Sequence, residues 1–268
     1  MNGGAPPADR VDLLVAGGGI HGAGVLQAAA AAGRSALLVE ERAPAWGTSS
    51  RSSKLIHGGL RYLESGHLGL VRESLVERAI LLRIAPELVR LVDFHIPVYR
   101  GMARRPWLIR AGLSLYALLG GLSRDARFES LPREEWARLD GLELTGLEAV
   151  FRYRDGQTDD AALVRAVLGS AVELGARVEC PASLLSAQRT ADGWLARIRA
   201  GGVEREIACR TLVNAAGPWV DQVQACIEPA PPRPAVELVQ GTHLELAGAI
   251  EHGVYYAESP RDRRGVFA

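Results

Sequence analysis

Residues 17–24 read Gly17-Gly18-Gly19-Ile20-His21-Gly22-Ala23-Gly24, and this stretch decides the fold. It lies between the apolar run 11–16 and an alanine-rich segment that begins at Val25. A second apolar run, 35–39, ends at the acidic Glu40. An apolar strand, a G-x-G-x-x-G turn, a helix and a second strand that ends in an acid are typical of a dinucleotide-binding βαβ unit. The pattern predicts an α/β fold built on a Rossmann-like domain.

Each glycine of this pattern has a physical role. Gly17 lets the chain turn sharply out of the first strand, Gly19 lets the backbone approach a pyrophosphate, and Gly22 lets helix and strand pack closely. The pyrophosphate is expected at the N–H groups and positive end of the following helix, at Ile20 and His21.

Acidic residues follow the second strand. Glu40 lies 23 residues after Gly17, near the roughly 20 expected for a carboxylate that accepts a hydrogen bond from an adenosine ribose hydroxyl. Glu41 is assigned to the same cofactor. A glycine-rich turn in an ordinary βαβ unit is the alternative. A G-x-G-x-x-G motif alone is weak evidence against it, whereas the motif together with strand, helix, second strand and terminal acid is strong evidence.

The segment after Glu40 distinguishes NAD from FAD. Nicotinamide domains usually continue here into another strand, whereas residues 46–63 supply hydroxyls, a cation and small residues. The residues expected at the cofactor are Thr48, Ser49, Ser50, Ser53, Lys54, Leu55, His57, Gly58 and Gly59. This set suits a second pass along the pyrophosphate and ribityl chain of FAD, with glycines where backbone approaches a flat ring. Taken alone, a hydroxyl-rich loop is as often a solvated turn.

A second fingerprint lies far downstream. Residues 210–219 read Arg-Thr-Leu-Val-Asn-Ala-Ala-Gly-Pro-Trp, a short apolar strand that runs into a turn of small residues. Ala215, Ala216 and Gly217 are expected to contact the cofactor, because the absence of large side chains permits close approach. The alternative is a plain buried strand followed by a turn.

These motifs together resemble those of the FAD-dependent, quinone-linked glycerol-3-phosphate dehydrogenases, within the amino-acid-oxidase-like group of flavoproteins. The resemblance is carried by residues 17–24, 48–50, 53–64, 159–161 and 212–219, and covers roughly residues 11–268. Its narrowest motif is Ser52-Ser53-Lys54-Leu55-Ile56-His57-Gly58-Gly59-Leu60-Arg61-Tyr62-Leu63. The resemblance implies FAD as cofactor, oxidation of sn-glycerol 3-phosphate to dihydroxyacetone phosphate, and transfer of the electrons to quinone.

Two positions depart from the family pattern. His21 stands where the family commonly has Asn, a change that the backbone-mediated binding there should tolerate. Gln240-Gly241-Thr242-His243 stands where the family usually has Lys-Gly-Ser/Thr-His, and a positive charge on the substrate side is lost.

Three residues are candidates for the chemistry. Arg61 is expected to bind the substrate phosphate or a developing oxyanion, because a guanidinium suits bidentate binding of both; a structural ion pair with Glu64 is the alternative. Tyr62 can add a hydroxyl to the same pocket. His243, on a strand expected to face the flavin, is the candidate base. His57 is expected beside the ring or bonded to loop backbone.

The organisation predicted is a cofactor domain interrupted by a mixed α+β substrate lobe. A flexible N-terminus over 1–10 precedes the FAD-binding domain (11–89 and 151–228) and the substrate or cap lobe (90–150 and 229–268). Apolar spacing predicts helices over 70–88, with Pro86 near its end, and over 159–175, closed by Gly175. Strands are expected at 176–178, 194–200 and 204–213.

The resemblance also implies a chain truncated at its C-terminus, because family members continue beyond Ala268 into further cap strands. Two other functions therefore stay open. One is another oxidoreductase of the amino-acid-oxidase-like group that acts on an amine or hydroxy acid. The other is an inactive flavin-binding fragment.

Composition bounds the partners. The 268 residues carry 31 basic and 31 acidic side chains and no net charge, which argues against a nucleic-acid partner. The three cysteines lack CxxC spacing and indicate a reducing, cytoplasmic compartment, and no motif predicts a metal site. The apolar stretch 107–122, flanked by arginines, fits either a peripheral membrane contact or a cap helix. A homodimer stays open.

Overall fold

The computed structural model describes residues 9–232, 236–244, 247–248, 250–259 and 265–268, and of Arg61 it describes the backbone only. The α-helices are α1 (Ile20–Ala31), α2 (Leu68–Ile84), α3 (Pro106–Leu119), α4 (Arg133–Trp136), α5 (Asp160–Glu173) and α6 (Val220–Gln224). The strands are β1 (Asp9–Ala16), β2 (Ala36–Val39), β3 (Leu55–Ile56), β4 (Val89–Tyr99), β5 (Phe128–Ser130), β6 (Leu147–Thr158), β7 (Arg177–Glu179), β8 (Ala182–Thr190), β9 (Gly193–Ala200), β10 (Val203–Asn214), β11 (Ile227–Glu228), β12 (Val254–Glu258) and β13 (Gly265–Phe267).

The chain divides into two compact units. The first unit comprises Met1–Ser53 and Asp159–Thr242, and the second comprises Lys54–Thr158 and His243–Ala268. Both are discontinuous in sequence. The predicted domain limits at residues 89, 150 and 228 remain predictions.

The first unit is built on a seven-stranded sheet in the order β11-β8-β9-β10-β1-β2-β7. β1 lies between two parallel partners, β10 and β2, and β2 pairs in parallel with β7. All four residues of β2 are buried, as expected for a strand covered on both faces. β8, β9 and β10 form an antiparallel meander. The predicted βαβ unit and α/β fold class are confirmed.

Side-chain alternation along β1 separates two cores. Leu14 packs with Leu37 and Ile198 on one face of the sheet. Val15 packs on the other face with Leu26 of α1 and Leu168 of α5. Because α1 is rich in alanine, its backbone can lie close to sheet and helix neighbours while burying apolar surface.

The second unit contains a sheet in the order β13-β12-β4-β6-β3, with β5 also paired to β6. Its centre is the long antiparallel pair of β4 and β6, registered Phe94 to Tyr153. These two aromatics belong to the core beneath α2 and α3. Val150 of β6 belongs to a separate core that includes Trp136. A mixed α+β lobe is therefore present, as predicted.

The predicted ends of α5 agree with the structure, whereas the predicted end of α2 does not. α5 begins after its cap Asp159, whose carboxylate accepts the Ala162 N–H at 2.9 Å, and it is followed by Gly175 with φ +96°, as predicted. α2 ends at Ile84, four residues before the predicted limit. The reason is Pro86, which disfavours helical backbone at the residue before it.

The apolar stretch 107–122 forms α3 and the turn after it. Leu113 and Tyr116 are buried, while Trp107 and Leu118 are 70% and 60% exposed. Within the described ranges, none of the helices combines the length and the apolar character that crossing a bilayer requires.

The cap of α5 gives a stability prediction. Asp159→Ala should lower the free energy of unfolding by about 1 kcal/mol, because an N–H of the first turn loses its side-chain acceptor. Urea denaturation followed by circular dichroism measures it. Glu173→Ala, an exposed acid in the last turn of the same helix, is the matched control and should be neutral or slightly stabilising. Equal losses in both variants would contradict the capping role.

Candidate functional site

The glycine turn sits at the carboxyl end of β1. Gly17 has φ +113°, and a Cβ on it would lie 2.5 Å from the Ala215 carbonyl oxygen. A Cβ on Gly22 would overlap the Gly17 carbonyl oxygen. Both positions therefore require glycine, one for its conformation and contact, the other for contact alone.

The downstream motif reaches the same edge of this sheet. Ala16 is registered with Asn214 in the parallel pair, and the Ala215 N–H donates to the Ala16 carbonyl at 2.8 Å. The Asn214 side chain holds the following turn, since its Oδ1 accepts the Ala216 N–H and its Nδ2 donates to the Val220 carbonyl. The first predicted motif and the Ala215-Ala216-Gly217 turn are thus brought together.

Glu40 lies against the glycine turn. One carboxylate oxygen accepts the Gly18 N–H at 2.6 Å, and the other accepts the Arg42 N–H at 2.8 Å. These bonds fix the side chain at the end of β2. Glu41 is exposed. Ribose binding by either residue remains a prediction.

The hydroxyl-rich segment is partly used in building the turn. Ser49 Oγ accepts the Ile20 N–H at 3.0 Å, and Ser50 Oγ donates to the Gly47 carbonyl at 3.3 Å. Ser52 donates its N–H and its hydroxyl to Asp160 at 3.0 and 2.7 Å. Thr48 and Ser53 are exposed.

The amino end of α1 fits an anionic group. Its N-cap Gly19 offers no side-chain cap, and no acidic residue stands in its first turn. The exposed Ile20 and His21 begin the helix, and the nearby Glu40 carboxylate is bonded to the Gly18 N–H, one residue before the N-cap. With the glycine cradle beside it, this end of the helix fits a dinucleotide pyrophosphate.

Two indoles pack beside these segments. The Trp46 and Trp219 rings lie 5.6 Å apart, centroid to centroid. The Arg42 guanidinium lies 4.0 Å from the Trp46 ring centre. A Cβ on Gly47 would lie 2.9 Å from the Trp219 ring. The pair therefore joins the start of the hydroxyl-rich segment to the turn after β10.

In the second unit, the chain from Lys54 to Gly59 runs along β6 and then turns. Lys54 has φ +58° and its carbonyl accepts the Thr158 N–H, while Leu55 pairs with Gln157 in β3. Gly59 has φ +71°. Its N–H donates to His57 Nδ1 at 3.0 Å, which is one of the two expectations for His57.

A cavity of about 540 Å³ opens beside this turn. Its lining combines aromatic rings, two carboxylates and the small turn residues. The described residues that line it are His57, Gly59, Leu60, Tyr62, Glu64, Ser65, Phe94, Tyr153, Asp155, Tyr256 and Phe267. The structure therefore brings His57, Gly59 and Tyr62 to one cavity.

A buried ionic group lies beneath the cavity. Arg78 and Asp155 have side chains 3% and 1% exposed, and Arg78 Nη1 lies 2.6 Å from Asp155 Oδ1. The Tyr116 hydroxyl donates to Asp155 Oδ2 at 2.7 Å and accepts the Gly58 N–H at 2.9 Å. Burial, and then the Asp155 charge, raise the pKa of Tyr116 well above its usual value, so the hydroxyl keeps its proton.

Glu64 binds an arginine far from it in sequence. Both of its carboxylate oxygens accept from Arg104, which also donates to Glu258. Hydrogen bonding to Glu64 is the main cause that raises the pKa of Arg104. The Arg61 side chain lies outside the described part, so its predicted role remains a prediction. Tyr62 is 44% exposed at the cavity.

His243 is not placed on a strand. Residues 241–244 are irregular and exposed, so the predicted strand there is wrong. The assignment of His243 as base remains a prediction. Among the residues that the structure describes, no group of three His, Cys, Asp or Glu side chains is arranged to hold a metal ion.

Sequence reasoning missed the ionic group beneath the cavity. Arg78 follows Val71 and Leu75 on the buried face of α2, and Asp155 follows Phe151 and Tyr153 on one face of β6. A charge at a position where the periodicity requires an apolar residue was the available signal.

Comparison with known proteins adds the family. The family model described as FAD dependent oxidoreductase matches residues 12–268. A glycerol-3-phosphate dehydrogenase of Pseudomonas aeruginosa is 41% identical over 98% of this chain and 51% of its own length. A D-erythritol 1-phosphate dehydrogenase of Brucella abortus is 38% identical over 97% of this chain and 52% of its own length. The chain spans about half the length of these curated relatives.

A solved structure of an FAD-containing enzyme is similar to this chain. The glycerol-3-phosphate dehydrogenase of Bacillus halodurans, complexed with FAD, superimposes with a TM-score of 0.58 at 27% identity. The match covers 81% of this chain and 36% of that one.

The glycine turn gives a binding prediction. Gly22→Ala should remove most of the bound FAD, because its methyl group displaces the Gly17 carbonyl and distorts the pyrophosphate turn. Gly24→Ala, in the same helix with no heavy atom outside that helix within 4 Å, is the matched control. Flavin absorbance per purified protein is the measurement. Full flavin content in both variants would contradict the site.

Proposed function

Because this chain belongs to the family of FAD-dependent oxidoreductases, we propose that the protein it forms oxidises a phosphorylated polyol. The substrate proposed is sn-glycerol 3-phosphate and the product dihydroxyacetone phosphate, with quinone as the electron acceptor. FAD is the cofactor of the family.

The observation that carries this proposal is the placement of the narrow motif at residues 52–63. Four of its residues line one cavity large enough for a small phosphorylated polyol: His57, Gly59, Leu60 and Tyr62. The 41% identity to a glycerol-3-phosphate dehydrogenase supports the same substrate. The motif is narrower than the glycine turn, which many flavoproteins share.

The proposed chemistry divides between cofactor and protein. FAD, when bound, supplies the oxidant that accepts the hydride from the secondary carbon of the substrate. His243 takes the hydroxyl proton, so the carbon becomes a ketone as hydride and proton leave. Arg61 binds the phosphate, and Tyr62 donates a hydrogen bond to the substrate. Gly17, Gly19 and the amino end of α1 bind the pyrophosphate.

Further partners belong to the same proposal. The exposed apolar side chains of α3, with Arg105 and Arg110 on the same helix or at its start, support a peripheral contact with an anionic membrane surface from the cytoplasmic side. Such a contact would bring the protein to a quinone dissolved in the bilayer. A homodimer is also compatible with the proposal.

D-erythritol 1-phosphate is the second candidate substrate. The Brucella abortus relative named for it is 38% identical to this chain, close to the 41% of the first relative. Both compounds carry a phosphate ester beside a secondary alcohol, so the same cation and base would serve either.

Anaerobic addition of substrate to the FAD-loaded protein tests the proposal. sn-Glycerol 3-phosphate should bleach the flavin absorbance, and glycerol without the phosphate should bleach it far more slowly. Bleaching by D-erythritol 1-phosphate alone would favour the second candidate. A flavin that stays oxidised with both phosphate esters would overturn the proposed substrate class.

The substrate cation gives a kinetic prediction. Arg61→Ala should lower kcat/KM for sn-glycerol 3-phosphate by about 10- to 100-fold, the loss expected for one charge-assisted hydrogen bond, while FAD stays bound. Steady-state kinetics with an artificial electron acceptor measure it. Arg72→Ala removes an exposed arginine of α2 and is the control. Equal kinetics in wild type and Arg61→Ala would place the phosphate-binding cation elsewhere.

A further inference from the structure

Within the buried group beneath the cavity, the side chains of Asp155 and Tyr116 are hydrogen-bonded to the Gly58 backbone N–H. We propose that Tyr116 and Asp155 are positioning residues, which hold the Gly58 amide and thereby fix the Gly58-Gly59 backbone in the conformation that bound FAD requires. The inference rests on the proposed role of this glycine pair in flavin contact. It does not depend on which substrate is oxidised.

Stability alone does not explain the Arg78–Asp155 pair. Removing two charges from water is costly, and apolar residues of similar volume often stabilise a core equally well. Its further bonds go to the β6 backbone on either side of Asp155: Arg78 Nη1 donates to the Arg154 carbonyl at 3.2 Å, and Asp155 Oδ1 accepts the Gly156 N–H at 3.2 Å. The pair orients the Asp155 carboxylate from one side.

The other carboxylate oxygen of Asp155 faces the Gly58-Gly59 turn. Asp155 Oδ2 accepts from the Tyr116 hydroxyl at 2.7 Å and also, directly, from the Gly58 N–H at 3.3 Å. The Tyr116 oxygen in turn accepts the Gly58 N–H. Because the Tyr116 hydroxyl donates to Asp155 and accepts from the Gly58 N–H, it has a single orientation. The position of the carboxylate therefore determines the position of the hydroxyl, and with it that of the Gly58 amide.

Packing leaves the amide little freedom. Gly58 is buried, and a Cβ on it would overlap the Tyr116 hydroxyl oxygen and the Leu75 side chain. Gly59 follows with φ +71° and lines the cavity. A shift of the Gly58 amide would therefore move the backbone that forms the cavity wall.

Tyr116→Phe is the first test, because it removes the hydroxyl and keeps the ring in the core. Hydrogen exchange in the FAD-free protein should be at least about 5-fold faster at Gly58, and the Kd for FAD should rise by about 5- to 10-fold, as for the loss of the neutral hydrogen bond between the Gly58 N–H and the Tyr116 hydroxyl. The flavin absorption bands should shift as well, which a merely structural role would not produce.

Tyr99→Phe is the matched control. Tyr99 lies on β4 of the same sheet, half-buried, and is not among the described residues that line the cavity. Its loss of a hydroxyl should leave Gly58 exchange, FAD affinity and the flavin spectrum as in wild type.

A second variant guards against a folding defect. Arg78→Met with Asp155→Leu replaces the ion pair by apolar side chains, which should keep the circular dichroism spectrum while weakening FAD binding at least as much as Tyr116→Phe. Unchanged Gly58 exchange in Tyr116→Phe, or faster exchange with unchanged FAD affinity and spectrum, would overturn the inference. A wild-type flavin that binds but is not bleached by the phosphate esters would overturn the proposed function alone.

Discussion

The parallel pairing of β1 with β10 is the constraint on which the first unit depends. It registers Ala16 with Asn214, so two turns far apart in sequence end at one edge of the sheet. The contact between Gly17 and the Ala215 carbonyl is a consequence of that register. A side chain at Gly17 would separate the strand ends that the α1 turn and the Ala215-Ala216-Gly217 turn share.

The second unit depends on a different kind of constraint. Its sheet is covered by aromatic and aliphatic side chains, yet Asp155 is placed among them at 1% side-chain exposure. Such a carboxylate must be fully hydrogen-bonded in a medium of low polarity. Arg78 and Tyr116 satisfy it from two separate helices, so the position of the carboxylate is determined from several directions at once.

The sequence predicts what is encoded locally. The glycine spacing, the apolar run before it and the acid at Glu40 are sufficient for the βαβ unit, because each acts within one or two elements. The Asp159 cap and Gly175 likewise specify α5. Three-element contacts escape such reasoning: Arg78, Tyr116 and Asp155 lie on α2, α3 and β6, and only tertiary packing brings them together. The strand expected at His243 is not formed, and residues 241–244 are irregular and exposed. That expectation rested on the family resemblance and not on a local sequence signal.

Serines of the hydroxyl-rich segment also stabilise the fold through their hydrogen bonds. Ser49 and Ser52 use hydrogen-bonding capacity on the Ile20 amide and on Asp160. The paired indoles of Trp46 and Trp219 link the same segment to the turn after β10. Indole emission depends on its immediate surroundings and overlaps the absorption of oxidised flavin. The pair therefore gives the protein a natural optical reporter, in which emission changes when the two segments separate or when a flavin lies within energy-transfer range.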